Sequence, residues 1–167
     1  MPDLAKDRSF LIRPDREQEP PQGIANLLRI EGSRMAGRVA VIEHPIAPGV
    51  LVPPHTHTRE DEVSYVVRGT IGARVGDEFI TAAPGAYVMK PRGIPHAFWN
   101  AGPEPARIVE IIVPAGFERF FAELDELARQ GPLDSRAHAA LGQRYGVRYH
   151  DEWIAELAER FGVRIPT

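Results

Sequence analysis

The strongest fold signal in the chain lies in residues 49–69, which read GVLVPPHTHTREDEVSYVVRG. Alternate residues of a strand point to one face, so His55 and His57 present two imidazoles side by side, with Cα atoms roughly 7 Å apart. A Pro-Pro pair just before them stiffens the backbone, and Glu62 begins the next strand-like run. The segment therefore predicts strands whose faces carry two histidines and a carboxylate.

A second segment of this kind, residues 85–100, reads GAYVMKPRGIPHAFWN. It brings a third imidazole, His96, onto another strand after a Pro-Arg-Gly turn, and Phe98 shares the face of His96. Asn100 is expected to close the following turn through hydrogen bonds from its side chain to the backbone.

These residue types point to a metal site. Three imidazoles and one carboxylate suit Fe, Mn, Ni, Cu or Zn, whereas structural zinc prefers closed, thiolate-rich sites. Taken singly, each residue could be a surface or core residue. Together, however, the two segments combine the four donors with six Gly, Pro or Asn residues in one joint spacing, namely Gly49, Gly69, Gly85, Pro91, Gly93 and Asn100. Chance is a poor explanation for ten such residues at these positions. We expect His55, His57, Glu62 and His96 to hold a divalent transition metal, with positions left open for substrate.

The flanking sequence predicts the layout of the chain. Runs rich in Val, Ile and aromatic residues are cut by Gly or Pro about every eight to twelve residues, which indicates an antiparallel sandwich or barrel. The candidate strands are 26–31, 37–44, 62–68, 71–75, 78–82, 86–90, 97–100 and 106–113. Three amphipathic helices are expected over 117–131, 134–142 and 153–161, packed against the outside of the barrel. The expected parts are an N-terminal arm (1–23), a barrel (24–114) and C-terminal helices (115–167).

Composition and charge exclude several classes of protein. The net charge is −3 and cysteine is absent, which removes thiolate metal sites, disulfides and a basic nucleic-acid footprint. A helix-turn-helix over 134–161 would turn acidic side chains toward phosphates; these are Asp151, Glu152, Glu156 and Glu159. No signal peptide or membrane span is apparent. We expect a cytoplasmic protein without nucleic-acid or membrane partners.

Residues 55–62 and 91–100 resemble the two sequence motifs of the cupin superfamily. The resemblance covers roughly residues 26–113 and implies an all-β, antiparallel jelly-roll barrel of six or more strands, with the metal held inside by the four residues named above. It assigns the acidic ligand to Glu62 rather than Glu60 or Asp61. Small cupins commonly form homodimers, often exchanging N-terminal strands, and residues 10–12 could be such a strand.

The flanks resemble the quercetin 2,3-dioxygenase-like cupins in two short segments, 37–39 and 114–118. This likeness implies a dioxygenase-type oxidoreductase for a small phenolic or enolic substrate. Glu62 would then bind metal and also accept the substrate's hydroxyl proton. Phe98 and Ser64, inward on their strands, are the candidate substrate-pocket residues, although Phe98 could equally belong to the core.

Two other functions stay open at this stage. A metal-dependent isomerase or cyclase would use the same site as a Lewis acid, and cations at the mouth would favour a sugar-like or phosphorylated ligand. The candidate cations, each more typical of a plain surface, are Arg38, Arg59, Arg74, Lys90 and Arg92. A binding module that catalyses nothing needs the same four ligands. His44, His138 and His150 are expected to be surface or capping residues.

Overall fold

The computed structural model describes residues 11–13, 23–131 and 135–166. Most of the expected arm (1–23) lies outside this part of the chain. Of the candidate exchange strand, Phe10 lies outside the described residues, and Leu11 and Ile12 are exposed and outside any strand or helix.

Ten strands pair antiparallel in two five-stranded sheets within the described residues. The strands are β1 (Leu27–Ile30), β2 (Ala40–Ile46), β3 (His55–His57), β4 (Asp61–Arg68), β5 (Ile71–Val75), β6 (Glu78–Ala82), β7 (Tyr87–Lys90), β8 (His96–Trp99), β9 (Ala106–Val113) and β10 (Val147–Tyr149). The first sheet has the order β1-β2-β9-β4-β7 and the second the order β10-β3-β8-β5-β6. The predicted all-β jelly roll is confirmed, with two facing sheets in place of one closed ring of strands.

Alternation along the strands separates an inner face from an outer face. In β9, Ala106, Ile108, Glu110 and Ile112 are all buried, and the residues between them are partly exposed. The interior between the sheets is apolar at one end, where Ile46, Val66, Ala73 and Phe98 belong to a single cluster. Farther along the same inner faces, charged and imidazole side chains take the place of aliphatic ones.

Strand β10 was not predicted, because a three-residue strand is too short to show a period. The sequence analysis leaves this stretch as a connection between the helices expected over 134–142 and 153–161. Val147–Tyr149 instead pairs with β3 and extends the second sheet. The Thr58 backbone N–H and hydroxyl both donate to the Gly146 carbonyl, at 3.0 and 2.9 Å. The strand that carries His55 and His57 is thus flanked by β8 on one side and β10 on the other.

The C-terminal helices are α1 (Glu118–Gln130), α2 (Ser135–Arg144) and α3 (Ile154–Phe161). As expected, α3 packs on an outer face: its Leu157 contacts Leu51, Ala97 and Trp99 of the second sheet. Gly72 makes room for this layer, because a Cβ there would lie 2.1 Å from the Trp99 Nε1 atom. In residues 23–131 and 135–166, no helix combines the length and apolar character needed to cross a membrane.

Helix α1 differs from its expected position on the outside. Phe117 and Phe120 pack against Ile42 and Ile112, which lie on the inner face of the first sheet. The turn before the helix is fixed by the buried Glu118 carboxylate, which accepts hydrogen bonds from the backbone N–H groups of Gly32 (3.1 Å) and Gly116 (2.5 Å). The apolar stripe of α1 therefore covers one end of the interior.

Candidate metal centre

Three strands bring the four predicted ligands together. His55 and His57 lie on β3, Glu62 on β4 and His96 on β8, and His55 and His96 are direct cross-strand partners. One donor atom from each residue lies within 4.8 Å of the others. The two sheets contribute opposite walls of this cluster, with Glu62 facing the three histidines.

The distances between donor atoms match those around one cation. The His55 Nε2 atom lies 3.1 Å from His57 Nε2 and 3.2 Å from His96 Nε2, and His57 Nε2 lies 3.3 Å from Glu62 Oε1. Two ligands at right angles, each about 2.1 Å from a metal, would be about 3.0 Å apart. The geometry fits an ion bound through three Nε2 atoms and one carboxylate oxygen.

Backbone carbonyls fix which ring nitrogen carries the proton. The Nδ1 atom of His55 lies 2.7 Å from the Pro53 carbonyl oxygen, and that of His96 lies 3.1 Å from the Ile94 carbonyl oxygen. A carbonyl only accepts, so each Nδ1 donates and leaves the Nε2 lone pair free. Burial lowers the pKa of both histidines and keeps them neutral. Lone pairs that converge in this way repel one another unless a cation lies between them.

Glu60 orients the third histidine, a role that the sequence analysis missed. Its side chain is buried, and its Oε2 atom lies 3.5 Å from His57 Nδ1. Apart from this contact, both atoms are buried and neither has a hydrogen-bond partner among the described residues. A carboxylate behind a ligating imidazole holds the ring in place and raises its basicity. The only sequence signal was the spacing of three residues from His57.

Lys90 is not the surface cation expected from the sequence. It is 1% exposed, and its Nζ atom lies 3.1 Å from Glu62 Oε2 and 2.5 Å from Glu110 Oε2. Burial alone lowers the pKa of Lys90, but the attraction of Glu110 and Glu62 outweighs this and raises it. Lys90 thus carries its charge inside the protein and occupies one oxygen of Glu62.

Glu110 is a second buried carboxyl group beside the cluster. Burial raises its pKa to about 7, and the charge of Glu62 acts in the same direction. The Ser64 hydroxyl donates to Glu110 Oε2 at 2.9 Å, the same oxygen that Lys90 binds. The predicted pocket residue Ser64 therefore lies behind Glu110 and is not among the residues that line the cavity.

A cavity of about 130 Å³ borders the cluster at His55 and Glu62. Its wall is mostly apolar and comes from both sheets and from the C-terminal segment. Besides those two residues and Glu110, the lining includes Phe98, Phe117, Phe120, Phe121, Leu124, His44, His138 and Tyr149. Phe98 also belongs to the core cluster, and the Phe117 ring meets the His57 ring edge-on at 4.3 Å.

Residues 43–112 match the family model described as Cupin domain (Cupin_2), and they contain all four donors. With this match and the jelly-roll fold described above, residues 43–112 are similar to a cupin domain. The rhicadhesin receptor of Pisum sativum is 36% identical over 90 residues, which cover 51% of this chain and 41% of that protein. Germin-like protein 5-1 of Oryza sativa subsp. japonica is 36% identical over 94 residues, covering 51% and 40%. The matched region spans about two fifths of these relatives' length.

A solved structure supports the same fold. TT1209 from Thermus thermophilus superposes on the chain with a TM-score of 0.53 at 27% identity, covering 58% of this chain and 89% of that one. The segment that follows residues 43–112 supplies α1, α2 and β10, which complete the cavity wall.

The remaining candidate cations do not line the cavity beside the four donors. Arg74 stacks on Trp153, with its guanidinium carbon 3.7 Å from the ring centre, and pairs with Glu156 at 2.9 Å. Arg92 binds Asp61 at 2.5 Å, and this contact lowers the pKa of Asp61 to about 2. Arg38 and Arg59 bond to backbone carbonyls. Among the described residues, the cavity lining contains neither arginine nor lysine.

Asn100 closes its turn as expected. Its amide donates to the carbonyls of Ile46 and Glu104, at 3.1 and 2.9 Å, and its carbonyl oxygen accepts from Gly102.

The other histidines are not all surface residues. His44 is buried in the cavity wall, where its Nδ1 atom donates to the Ala25 carbonyl at 3.1 Å. His138 also lines the cavity, and its Nε2 atom forms a 3.0 Å hydrogen bond with the Tyr149 hydroxyl. His150 bonds to Thr56 on β3 at 2.7 Å. The expectation of a surface or capping role is wrong for His44, because it lies on the inner face of β2.

Burial makes His44 a source of acid sensitivity. Burial lowers the pKa of His44 from 6.5 to about 4. Between pH 4 and pH 6.5, His44 therefore binds a proton in the unfolded chain but not in the folded protein. Stability from this group is complete above pH 6.5 and is lost as the pH falls toward 4. From pH 7 to pH 5, wild-type protein should lose about 2 kcal/mol more than His44→Gln, whose amide still donates to Ala25.

Urea unfolding of metal-free protein at both pH values measures this difference. The ligand histidines titrate in both proteins, so their contribution cancels in the comparison. Equal losses of stability in the two proteins would contradict the assignment to His44.

Proposed function

We propose that this chain is a metal-dependent oxidoreductase of the dioxygenase type, which acts on a small phenolic or enolic substrate. One observation carries the proposal: a largely apolar, aromatic-lined cavity adjoins a donor set of three histidines and one carboxylate at His55 and Glu62. Such a wall favours a flat, weakly polar ligand, and the adjoining donors would bind its oxygen through the metal.

The metal would be held by His55, His57, Glu62 and His96. Fe, Mn, Ni and Cu ions bound there would supply a site at which a substrate oxygen and dioxygen are brought together. Zn also suits the donors but has no redox chemistry of its own. The protein's part is to hold the imidazoles in place, through the Pro53 and Ile94 carbonyls and the Glu60 carboxylate.

Glu62 is proposed to accept the substrate's hydroxyl proton at Oε1. Lys90 holds the other oxygen, Oε2, at 3.1 Å, so the carboxylate keeps one oxygen toward the histidines. The pKa of Glu62 lies well below its usual value because Lys90 and His57 overcome the effect of burial. Glu62 is therefore ionised, which is the form that can accept a proton, and apolar residues of α1 line the same cavity.

The segment 114–118 supports the link to quercetin 2,3-dioxygenase-like cupins. Phe117 contacts the ring of His57, and Glu118 anchors the start of α1. Phe117 lines the cavity, and Glu118 fixes the helix that follows it. On this basis we propose membership of that group without assigning flavonol as substrate. The homodimer and the cytoplasmic location remain predictions, and light scattering of purified protein measures the first.

Oxygen consumption tests the proposal. Metal-free protein is reconstituted separately with Fe(II), Mn(II), Ni(II) and Cu(II), equilibrated anaerobically with phenols and β-diketones, and then given oxygen. We expect uptake that depends on both metal and substrate, with a stoichiometric oxygenated product. Glu62→Gln should abolish uptake, and the matched control Asp61→Asn, next to it but outside the cluster, should not.

Two outcomes would replace the proposal with the alternatives. An epimerised or cyclised product without oxygen uptake would identify an isomerase or cyclase. Tight retention of a ligand without turnover, across all metals, would identify a binding protein. The absence of arginine and lysine from the described cavity lining gives less support to a phosphorylated ligand.

A further inference from the structure

The two oxygen atoms of Glu110 have unequal surroundings. Both donors to the carboxyl group, the Ser64 hydroxyl at 2.9 Å and the Lys90 ammonium at 2.5 Å, bond to Oε2. The Oε1 atom is buried and has no hydrogen-bond partner among the described residues. Leaving a buried acceptor without a donor is unfavourable, so this arrangement favours any molecule that brings a donor.

The position of Glu110 indicates where such a donor would come from. Glu110 is 2% exposed and lines the same cavity as His55 and Glu62. Lys90 bridges Glu110 and Glu62, so the two carboxylates lie within two hydrogen-bond lengths of each other. A small ligand in this cavity can therefore reach the metal-binding cluster and Glu110 at once.

We propose that Glu110 is a substrate-binding residue whose Oε1 atom accepts a hydrogen bond from a second hydroxyl group of the ligand. The ligand class is then narrower than a simple phenol or enol: one oxygen binds at the metal cluster, and a separate O–H donates to Glu110. Diphenols and enediols have this pattern, whereas their monomethyl ethers lack the donor. The inference rests on the proposed function for the location of the substrate, and it adds the recognition element.

Lys90 and Ser64 act as positioning residues in this scheme. They hold Oε2 and thereby turn Oε1 toward a ligand. The ammonium group of Lys90 already contacts two carboxylates and the face of the Phe98 ring, 4.8 Å away. Lys90 is therefore not available to bind an anionic ligand. Recognition instead depends on Glu110 Oε1, a hydrogen-bond acceptor.

Binding of matched probes to the zinc-reconstituted protein at pH 8 tests the proposal without turnover. Catechol and resorcinol are each compared with their monomethyl ethers, guaiacol and 3-methoxyphenol, by calorimetry. For at least one pair, wild-type protein should bind the diphenol about ten-fold more tightly than the ether, the scale of one buried hydrogen bond to a charged group. Glu110→Gln places an amide donor in the acceptor's position and should reduce that ratio to about one.

Two further variants separate recognition from structure. Glu110→Asp keeps the charge opposite Lys90 but withdraws the oxygen atoms by one methylene, and it should also lose the preference. Glu43→Gln makes the same change as Glu110→Gln, but on the neighbouring strand β2, at a carboxylate that pairs with Arg29 and does not line the cavity, and it should keep the preference. The inference would be overturned if the ratio of diphenol affinity to ether affinity were unchanged in Glu110→Gln or Glu110→Asp. It would also be overturned if wild-type protein bound neither diphenol, or bound neither diphenol more tightly than its ether. Oxygen uptake tests the dioxygenase proposal, whereas ligand binding tests the role of Glu110. The two proposals can therefore fail independently of each other.

Discussion

Replacing His96 by alanine is expected to lower the metal content of the purified protein by about ten-fold or more. The His96 Nε2 atom lies 3.2 Å from His55 Nε2 and 3.5 Å from Glu62 Oε2, at the centre of the donor set. Removing it leaves three donors and opens space between the two sheets. Elemental analysis by mass spectrometry, after dialysis against a buffered metal solution, measures the bound fraction.

His150→Ala is the matched control for this experiment. His150 is also an imidazole in contact with the metal-bearing strand, through Thr56, but it lies outside the donor set. Its loss should leave the metal content unchanged. Circular dichroism of both variants checks that they are folded. Undiminished stoichiometry in His96→Ala would remove His96 from the site.

Replacing Lys90 by methionine is expected to destabilise the metal-free protein by about 3–5 kcal/mol at pH 8, the usual result of removing one partner of a buried ion pair. Lys90 is 1% exposed and lies between Glu62 and Glu110. Methionine fills similar space but leaves two carboxylates facing each other without a cation. Urea unfolding followed by tryptophan fluorescence measures the change in the free energy of unfolding.

The pH dependence of that loss identifies its electrostatic cause. Without Lys90, the pKa of Glu62 should rise in the folded protein above its unfolded value near 4.5, and the pKa of Glu110, already raised to about 7, should rise further. The folded state then binds more protons, and stability falls as the pH rises from about 4.5 to 8. The deficit should therefore shrink toward pH 5. The control Ser64→Ala removes an uncharged partner of Glu110 and should cost about 1 kcal/mol with little pH dependence. A Lys90→Met protein as stable as wild type at pH 8 would contradict the pairing.

Strand boundaries were predicted best where Gly or Pro lies close to both ends of the strand. The ranges 71–75, 78–82 and 106–113 agree with β5, β6 and β9 as observed. Other boundaries moved by one to three residues, as for 37–44, which is Ala40–Ile46 in the structure. The three-residue β10 carries too few residues for alternation to be seen, and its pairing with β3 depends on contacts distant in sequence.

The four proposed ligands could be selected from sequence because their types and spacings are specific. Their charged neighbours could not, because an isolated Lys or Glu is usually at the surface. A weak signal existed for Glu110, which shares the inner face of its strand with Ile108 and Ile112. Lys90 likewise lies two residues after the buried Val88 and therefore on the same face of β7. Polar residues at buried positions of a period-two pattern should be considered as candidate site residues.

Strand β10 has a consequence for how this protein is made. The backbone N–H of Thr58, just after the metal-bearing strand β3, donates to Gly146, and the Thr58 hydroxyl spans the same 88 residues to that carbonyl. During synthesis, all four donors leave the ribosome well before the strand that flanks two of them. Metal captured by the nascent chain would therefore meet an incomplete wall, and the finished centre forms only after translation has passed Tyr149.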